Sequence, residues 1–271
     1  MAYKTAHEAT LGGVNLSAVD SSIVVLGCSV DAGKDSLSVQ AISGRAGQRI
    51  TGATRDYIDA SVTFGIRCRR GQMNSRGAIY EKAMAWAAAA REQNAWLSFA
   101  QKPGRRLRVR LQSLPAEGDP WDWNKEYTIT FRASEIPYWQ DISATTATQS
   151  SGTSLSQSIT VPGNARTVAE LTYVNSSSST CDTLSISTGA ATMNFTDLGI
   201  AAGETFVIDH TADGILRIRI KNTSDVYRSV FAKRVAATSA DDLWILPGSR
   251  TVTGTAQRSG SWTISVRGRY E

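Results

Sequence analysis

Apolar and polar positions alternate along most of this chain, and they do so with a period of two. Val62, Phe64, Ile66 and Cys68 are set against Thr63, Arg67 and Arg69. Leu107, Val109 and Leu111 alternate with Arg106, Arg108 and Arg110, and Tyr127, Ile129 and Phe131 with Thr128, Thr130 and Arg132. Successive side chains of a strand point to opposite faces, so these segments predict half-buried strands whose outer faces are wet and basic. Lys102-Pro103-Gly104 supplies the turn of a hairpin between Trp96–Phe99 and the Leu107 strand. One segment keeps a different period: Ser75 as helix N-cap, then Ile79, Ala83, Trp86 and Ala90 in an alanine-rich run, predicts about four turns of helix ending near Asn94.

Beyond residue 158 no helical period is found. Short alternating runs recur instead: Ala169, Leu171 and Tyr173; Phe206 and Ile208; Leu216, Ile218 and Ile220; Leu243 and Ile245; Trp262, Ile264 and Val266. Turn signals such as Pro162-Gly163-Asn164, Asp213-Gly214 and Pro247-Gly248 separate them, and this pattern predicts an antiparallel β-sandwich. Between the two regions, residues 142–158 are small and polar, without Lys, Arg or aromatic side chains, and read as a linker. The expected organisation is therefore a first domain over 1–141, a Ser/Thr-rich linker over 142–158 and a second domain over 159–271. The fold class is mainly β, an α+β first domain with one main helix followed by a sandwich.

Charge sharpens the division. Of the formal +5, all lies in the first half: residues 1–140 hold 18 Lys and Arg against 13 Asp and Glu, whereas 141–271 hold 11 of each. Arginine outnumbers lysine 13 to 5 in that first half. The planar guanidinium binds carboxylates bidentately and suits interfaces, so Arg67, Arg69, Arg70, Arg105, Arg106, Arg108 and Arg110 are the candidate partner contacts. The residues between them are core-like and not exposed aromatics, which argues against sequence-specific nucleic-acid recognition.

A chain of 271 residues, 41% apolar, can bury a core without a metal or disulfide. Its three cysteines, Cys28, Cys68 and Cys181, are widely spaced, and two histidines give no zinc pattern, so no cofactor is expected. Gly27 to Asp35 departs from a phosphate loop in spacing and in placing Asp35 where Ser or Thr holds magnesium. Gly-x-Ser-x-Gly is absent, and His210 and Asp241-Asp242 read as strand-end and solvated-turn residues. Glu117, Asp119 and Asp122, beside Trp121 and Trp123, invite a glycoside-hydrolase reading, but Gly118 and Pro120 account for the segment as a loop. Neither an exported start nor a run of about 18 apolar residues is present, so no membrane insertion is expected.

Taken together, these parts resemble the distal tail proteins (Dit family) of siphovirus-type bacteriophages. The resemblance rests on the strand Ile58 to Arg69, the helix Ala78 to Glu92, the Trp96-Leu97-Ser98-Phe99 strand with its basic hairpin, and the strand from Tyr127 that closes on Pro137-Tyr138-Trp139. The opening Leu11-Gly12-Gly13-Val14 fits as well. The second half is similar to the family's galectin-like sandwich through Gly163-Asn164-Ala165, the Gly203 turn, Leu246-Pro247-Gly248-Ser249-Arg250 and a final strand with Trp262. Ser249 departs from the Asn or Glu frequent there.

That resemblance implies a non-enzymatic virion protein made in the host bacterial cytoplasm: a homohexameric ring, barrel-like first domains around a central channel, seated between the tail tube protein and the tail-tip hub, with receptor-binding proteins as further partners. The alternative is a carbohydrate-binding module in which the second sandwich docks a glycan through Trp244 or Trp262.

Overall fold

A computed structural model describes residues 7–41, 48–68, 75–118 and 125–271. The chain divides into two compact units, Met1–Trp139 and Gln140–Tyr270, mainly β in both. Among the described residues no helix is long and apolar enough to cross a membrane.

The first unit contains β1 (Ala9–Leu11), β2 (Val14–Asn15), α1 (Leu16–Val19), β3 (Ile23–Val30), β4 (Lys34–Ala41), β5 (Gln48–Ile66), α2 (Ser75–Ala88), β6 (Ala95–Phe99), β7 (Arg105–Ser113) and β8 (Glu126–Ala133). Its strands join in the order β2-β1-β6-β7-β8-β5-β3, with β4 added to β5. Gly12 and Gly13, both at positive φ, make the two-residue turn between β1 and β2, a conformation that costs glycine nothing. The expected hairpin is formed: β6 and β7 pair antiparallel, and Gly104 takes φ 76° in the turn.

Alternation places Ile58, Ala60, Val62, Phe64, Leu107, Val109, Tyr127, Ile129 and Phe131 inside, where α2 packs. Trp86 meets Phe131 edge-on at 6.0 Å, and Tyr80 meets Tyr127 at 5.3 Å. The Trp86 indole N–H donates to the Val14 carbonyl at 2.8 Å, fixing the helix to β2. The helix stops six residues before the expected Asn94. Ala89, Ala90 and Arg91 close tighter turns on Trp86, Ala87 and Ala88, which leaves the buried Ala90 carbonyl to accept the Leu111 N–H at 2.8 Å.

The second unit adds β9 (Trp139–Asp141) at the junction, β10 (Thr145–Gln149), β11 (Ser154–Val161), β12 (Thr167–Asn175), β13 (Leu184–Ser187), β14 (Thr192–Phe195), β15 (Thr205–His210), β16 (Leu216–Lys221), β17 (Tyr227–Ser229), β18 (Trp244–Ile245), β19 (Gly248–Ala256), β20 (Gly260–Val266) and β21 (Arg269–Tyr270). One sheet runs β10-β20-β12-β15-β16-β17 with β18 on β12, and a second runs β11-β19-β13-β14. Leu155, Ile186, Phe195 and Val252 from the smaller sheet share one core with Leu171, Tyr173, Phe206, Ile220 and Trp262 from the larger. The unit is a β-sandwich.

The expected linker over 142–158 is corrected by this arrangement. Thr145–Gln149 pairs with β20, and Ser154–Val161 pairs with β19 along its whole length. Threonine is a strand former, and Leu155, Ile159 and Val161, two or four residues apart, fall on the buried face while Ser and Gln take the other. A composition without charge was therefore the outer half of two strands, and the second unit begins at Gln140, well before 159.

Candidate assembly interface

The arginine-bearing strand is β7. Leu107 and Val109 are buried, which by the period of two turns Arg106, Arg108 and Arg110 to the opposite face. Trp96, cross-strand partner of Arg108 on β6, lies under two guanidinium groups: Arg106 at 3.9 Å from the ring centroid and Arg108 at 5.3 Å. Such stacking desolvates the flat faces of the cations while their edges stay polar. Arg110 donates to the Glu92 carbonyl at 2.6 Å and stands opposite Arg132 of β8. Arg132 grips Asp59 of β5 with two bonds of 2.7 Å and lies over the Tyr57 ring at 3.8 Å. The Asp59 carboxylate raises the guanidinium's already high pKa further. The outcome is one stripe, Trp96–Arg106–Arg108–Arg110–Arg132–Asp59, crossing three neighbouring strands and β5.

Arg105 opens β7, half-buried, where it helps to lower the pKa of Lys102, the larger cause being burial. Lys102 sits 4.7 Å from the Trp139 ring, and Trp139 is buried against Phe99 at 5.6 Å. Pro137-Tyr138-Trp139 thus ends the first unit on an aromatic anchor.

Arg67 is exposed just past β5 and belongs to a different surface, a groove of about 350 Å³ lined by Val24, Leu26, Gly65, Ile66, Arg67, Lys125 and Glu126. Leu26 is the extra residue of a β-bulge between Val25 and Gly27, and its side chain lies over Gly65. Arg69 and Arg70 lie outside the described residues. The seven candidate arginines therefore do not form one patch: four share β7, one lines the groove, and two are not placed.

The glycan candidates separate. Trp262 is fully buried, tilted at 55° against Tyr173 with ring centroids 4.6 Å apart and its N–H directed at the Gly152 carbonyl at 3.3 Å, so it presents no platform and that assignment is corrected. It lies inside because β20 alternates inward at Gly260, Trp262, Ile264 and Val266. Trp244 is half-buried, with Arg166 4.5 Å and Arg269 6.0 Å from its ring. Of the acids, Glu117 is exposed, and Asp119 and Asp122 lie outside the described residues. Among the described residues no three His, Cys, Asp or Glu side chains cluster to hold a metal ion.

One pair was not legible in sequence. His210 Nε2 lies 2.9 and 3.1 Å from the two carboxylate oxygens of Asp242, both side chains largely buried, while Asp241 is fully exposed. Asp242 also accepts the Leu243 N–H at 2.6 Å, so the pair pins the end of β15 to the entry of β18. The expectation of a solvated turn holds for Asp241 and is corrected for Asp242.

No family model matches the sequence, and no curated protein matches it. Solved structures do. The crystal structure of the Dit protein (gp 19.1) of phage SPP1, described as a paradigm of the hub adsorption apparatus in phages infecting Gram-positive hosts, superposes with a TM-score of 0.70 at 15% identity, over 98% of this chain and 99% of that one. The chain has a Dit-like fold. Chains of the phage P2 baseplate in its activated conformation agree less closely. The form with Ca gives a TM-score of 0.54 at 7% identity, covering 97% of this chain and 98% of that one. The form with Sr gives 0.52 at 7%, covering 96% and 97%. These neighbours come from a phage hub adsorption apparatus and a phage baseplate, and the Dit-like fold spans both units of the present chain.

Proposed function

We propose that the protein is a structural component of a phage tail tip, a distal tail protein whose copies close into a homohexameric ring joining the tail tube to the host-adhesion apparatus and leaving a central channel for DNA. The supporting observation is the end-to-end likeness to SPP1 Dit, with neither unit left over on either side. In this reading the protein is not an enzyme, acts in the virion after synthesis in the host cytoplasm, and has as partners itself, the tail tube protein and the tail-tip hub.

The first unit suits ring formation. It carries the arginine excess, arranged as a stripe already ordered by Trp96 and Asp59, and ordered side chains lose less entropy on contact. Copies arranged in a ring pair one surface with a different surface on the neighbour, so the cationic stripe need not be complementary to itself. The test is size-exclusion chromatography with light scattering, followed by negative-stain imaging. The expected mass is about 175 kDa, six times the 29.1 kDa chain, with six-fold annuli. A monomer at every concentration overturns the reading.

A further inference from the structure

β4 and the first half of β5 form a two-stranded arm. Lys34–Ala41 pairs with residues 48–57, while the second half of β5 lies between β3 and β8 in the main sheet. The arm is amphipathic. Leu37 and Val39 are two residues apart on β4, and Ile50 is the direct cross-strand partner of Val39, so all three share a face. Ser36, Ser38 and Gln40 take the other. The apolar face is open: Leu37 is 56% exposed, Val39 50% and Ile50 60%. A two-stranded ribbon is marginal in water, and three aliphatic side chains aligned on one uncovered face mark a contact surface.

We infer that this face docks into the Val24–Leu26 groove of a second copy. The inference rests on the ring reading and names its contact. Three observations select the occupant. The groove offers three aliphatic side chains, Val24, the bulged Leu26 and Ile66, among the charged Arg67, Lys125 and Glu126. Asp35, exposed and two residues before Leu37 on the same face, is opposite in charge to Arg67 and Lys125, which outnumber Glu126 in the groove. The third is distance. Ile50 and Gly65 are fifteen residues apart on the one strand β5, about 50 Å at roughly 3.3 Å per residue, so the arm cannot reach the groove of its own chain. Arm and groove are different surfaces at opposite ends of one strand, the arrangement that links copies head to tail. β3, which carries Val24 and Leu26, ends the strand order of its sheet, so its outer edge lies beside the groove.

Three variants and their mixture test this. The arm variant Leu37→Asp with Val39→Asp and the groove variant Leu26→Asp change exposed side chains, and far-UV circular dichroism and melting should match wild type. Each alone should lose the assembled species in light scattering. Mixed in equal amounts, the groove variant offers an intact arm and the arm variant an intact groove. One junction forms and no ring closes, so sedimentation at raised concentration should show a dimer and nothing larger. Ser38→Asp, on the opposite face of the arm, should assemble as wild type. The inference is overturned if either docking variant keeps the wild-type mass, if the mixture stays monomeric, or if Ser38→Asp also loses assembly. Wild type that never assembles overturns the ring reading itself and this contact with it.

Discussion

Replacing Asn175 offers the sharpest check on the second unit, because this side chain is fully buried and every polar atom it has is used. Its amide nitrogen donates to the carbonyls of Ser179 and Ile200, both at 2.9 Å, and lies 3.3 Å from that of Ala201. Its oxygen accepts the Ser177 N–H at 3.1 Å and the Ser177 hydroxyl at 2.8 Å. Two donors toward carbonyls and one oxygen toward donors is a demand a carboxamide meets and a carboxylate does not. Asn175→Ala removes these bonds and leaves a small cavity, at a cost of about 2–4 kcal/mol. All three carbonyls have another donor in the variant: Ile200 accepts Cys181 N–H, Ala201 accepts Glu204 N–H, and the Ser177 hydroxyl, released from Asn175, lies 2.8 Å from the Ser179 carbonyl and can donate to it, so the upper end of that range is not exceeded.

Asn175→Asp, nearly the same shape, is the more telling variant. An ionised carboxylate would face two carbonyl oxygens at hydrogen-bond distance, so at pH 7 its destabilisation should exceed that of alanine. Folding then favours the protonated acid, and the folded-state pKa of the new carboxyl rises above the unfolded value of about 3.9. A raised pKa means that stability relative to wild type is recovered as pH falls, by about 1.4 kcal/mol per pH unit between the folded and unfolded values, and is constant below the latter. Chemical denaturation followed by circular dichroism between pH 4 and 8, with wild type subtracted, reads this directly. An Asp variant as stable as wild type at pH 7, or a difference that does not change with pH, refutes the reasoning.

Other outcomes follow from single contacts. Trp86→Phe keeps the ring packing against Phe131 but leaves the Val14 carbonyl without its donor, and should lower the urea midpoint by an amount worth about 1–2 kcal/mol, against about 3–5 for Trp86→Ala. Gly163→Ala should cost about 3 kcal/mol or more in thermal unfolding, since φ is +98° and a Cβ would lie 2.1 Å from the Arg269 carbonyl oxygen that accepts Asn164 and Ala165. Cys28 is pushed up to about 11 by burial first and Glu8 second, so at pH 8 its iodoacetamide alkylation should run about a hundredfold slower than that of a thiol at 9, because the thiolate reacts, and should accelerate up to pH 11. A Cys28 alkylated at the rate of a free thiol contradicts the packing of β3.

Much of the fold is legible because a sheet with one buried face writes itself into the chain at every second residue. β8, β12 and β20 alternate without a break, and each lies where its pattern places it. Where apolar residues thin out, the signal weakens. β11 buries Leu155, Ile159 and Val161 among Ser, Gln and Thr, and composition alone presents it as a tether. The arm is harder still: Leu37, Val39 and Ile50 stay at least half exposed, so no core demand marks them as part of a strand pair. The helix end is hidden for a related reason: alanine after Ala88 favours helix, while the Ala90 carbonyl is taken by Leu111 across a tertiary contact.

For the candidate interface, sequence shows which residues alternate outward but not which meet. That Arg106, Arg108 and Arg110 share a face follows from spacing; that Trp96 lies beneath two of them follows from the β6–β7 register. The groove depends on a bulge that turns Leu26 out over a glycine, and bulges leave no periodic trace. His210 and Asp242 stand 32 residues apart and meet only because β18 returns beside β12.

Placing an uncovered arm and its receiving groove on the same strand has an energetic consequence for the proposed ring. A ribbon of two strands lacks a third layer, so part of the binding energy of each junction goes into ordering it, and a single junction is weak. Closing the ring makes the last junction intramolecular, with a high effective concentration of arm around groove. Partly built rings are then poorly populated, and the protein passes between single copies and complete rings over a narrow concentration range. The ribbon's amides report the same coupling: hydrogen exchange across 34–41 and 48–57 should be fast in single copies and slow in rings, while β8, already between β5 and β7, should exchange alike in both. Equal protection of the arm in both states would mean that it is ordered without a neighbour, and the source of that cooperativity would be lost.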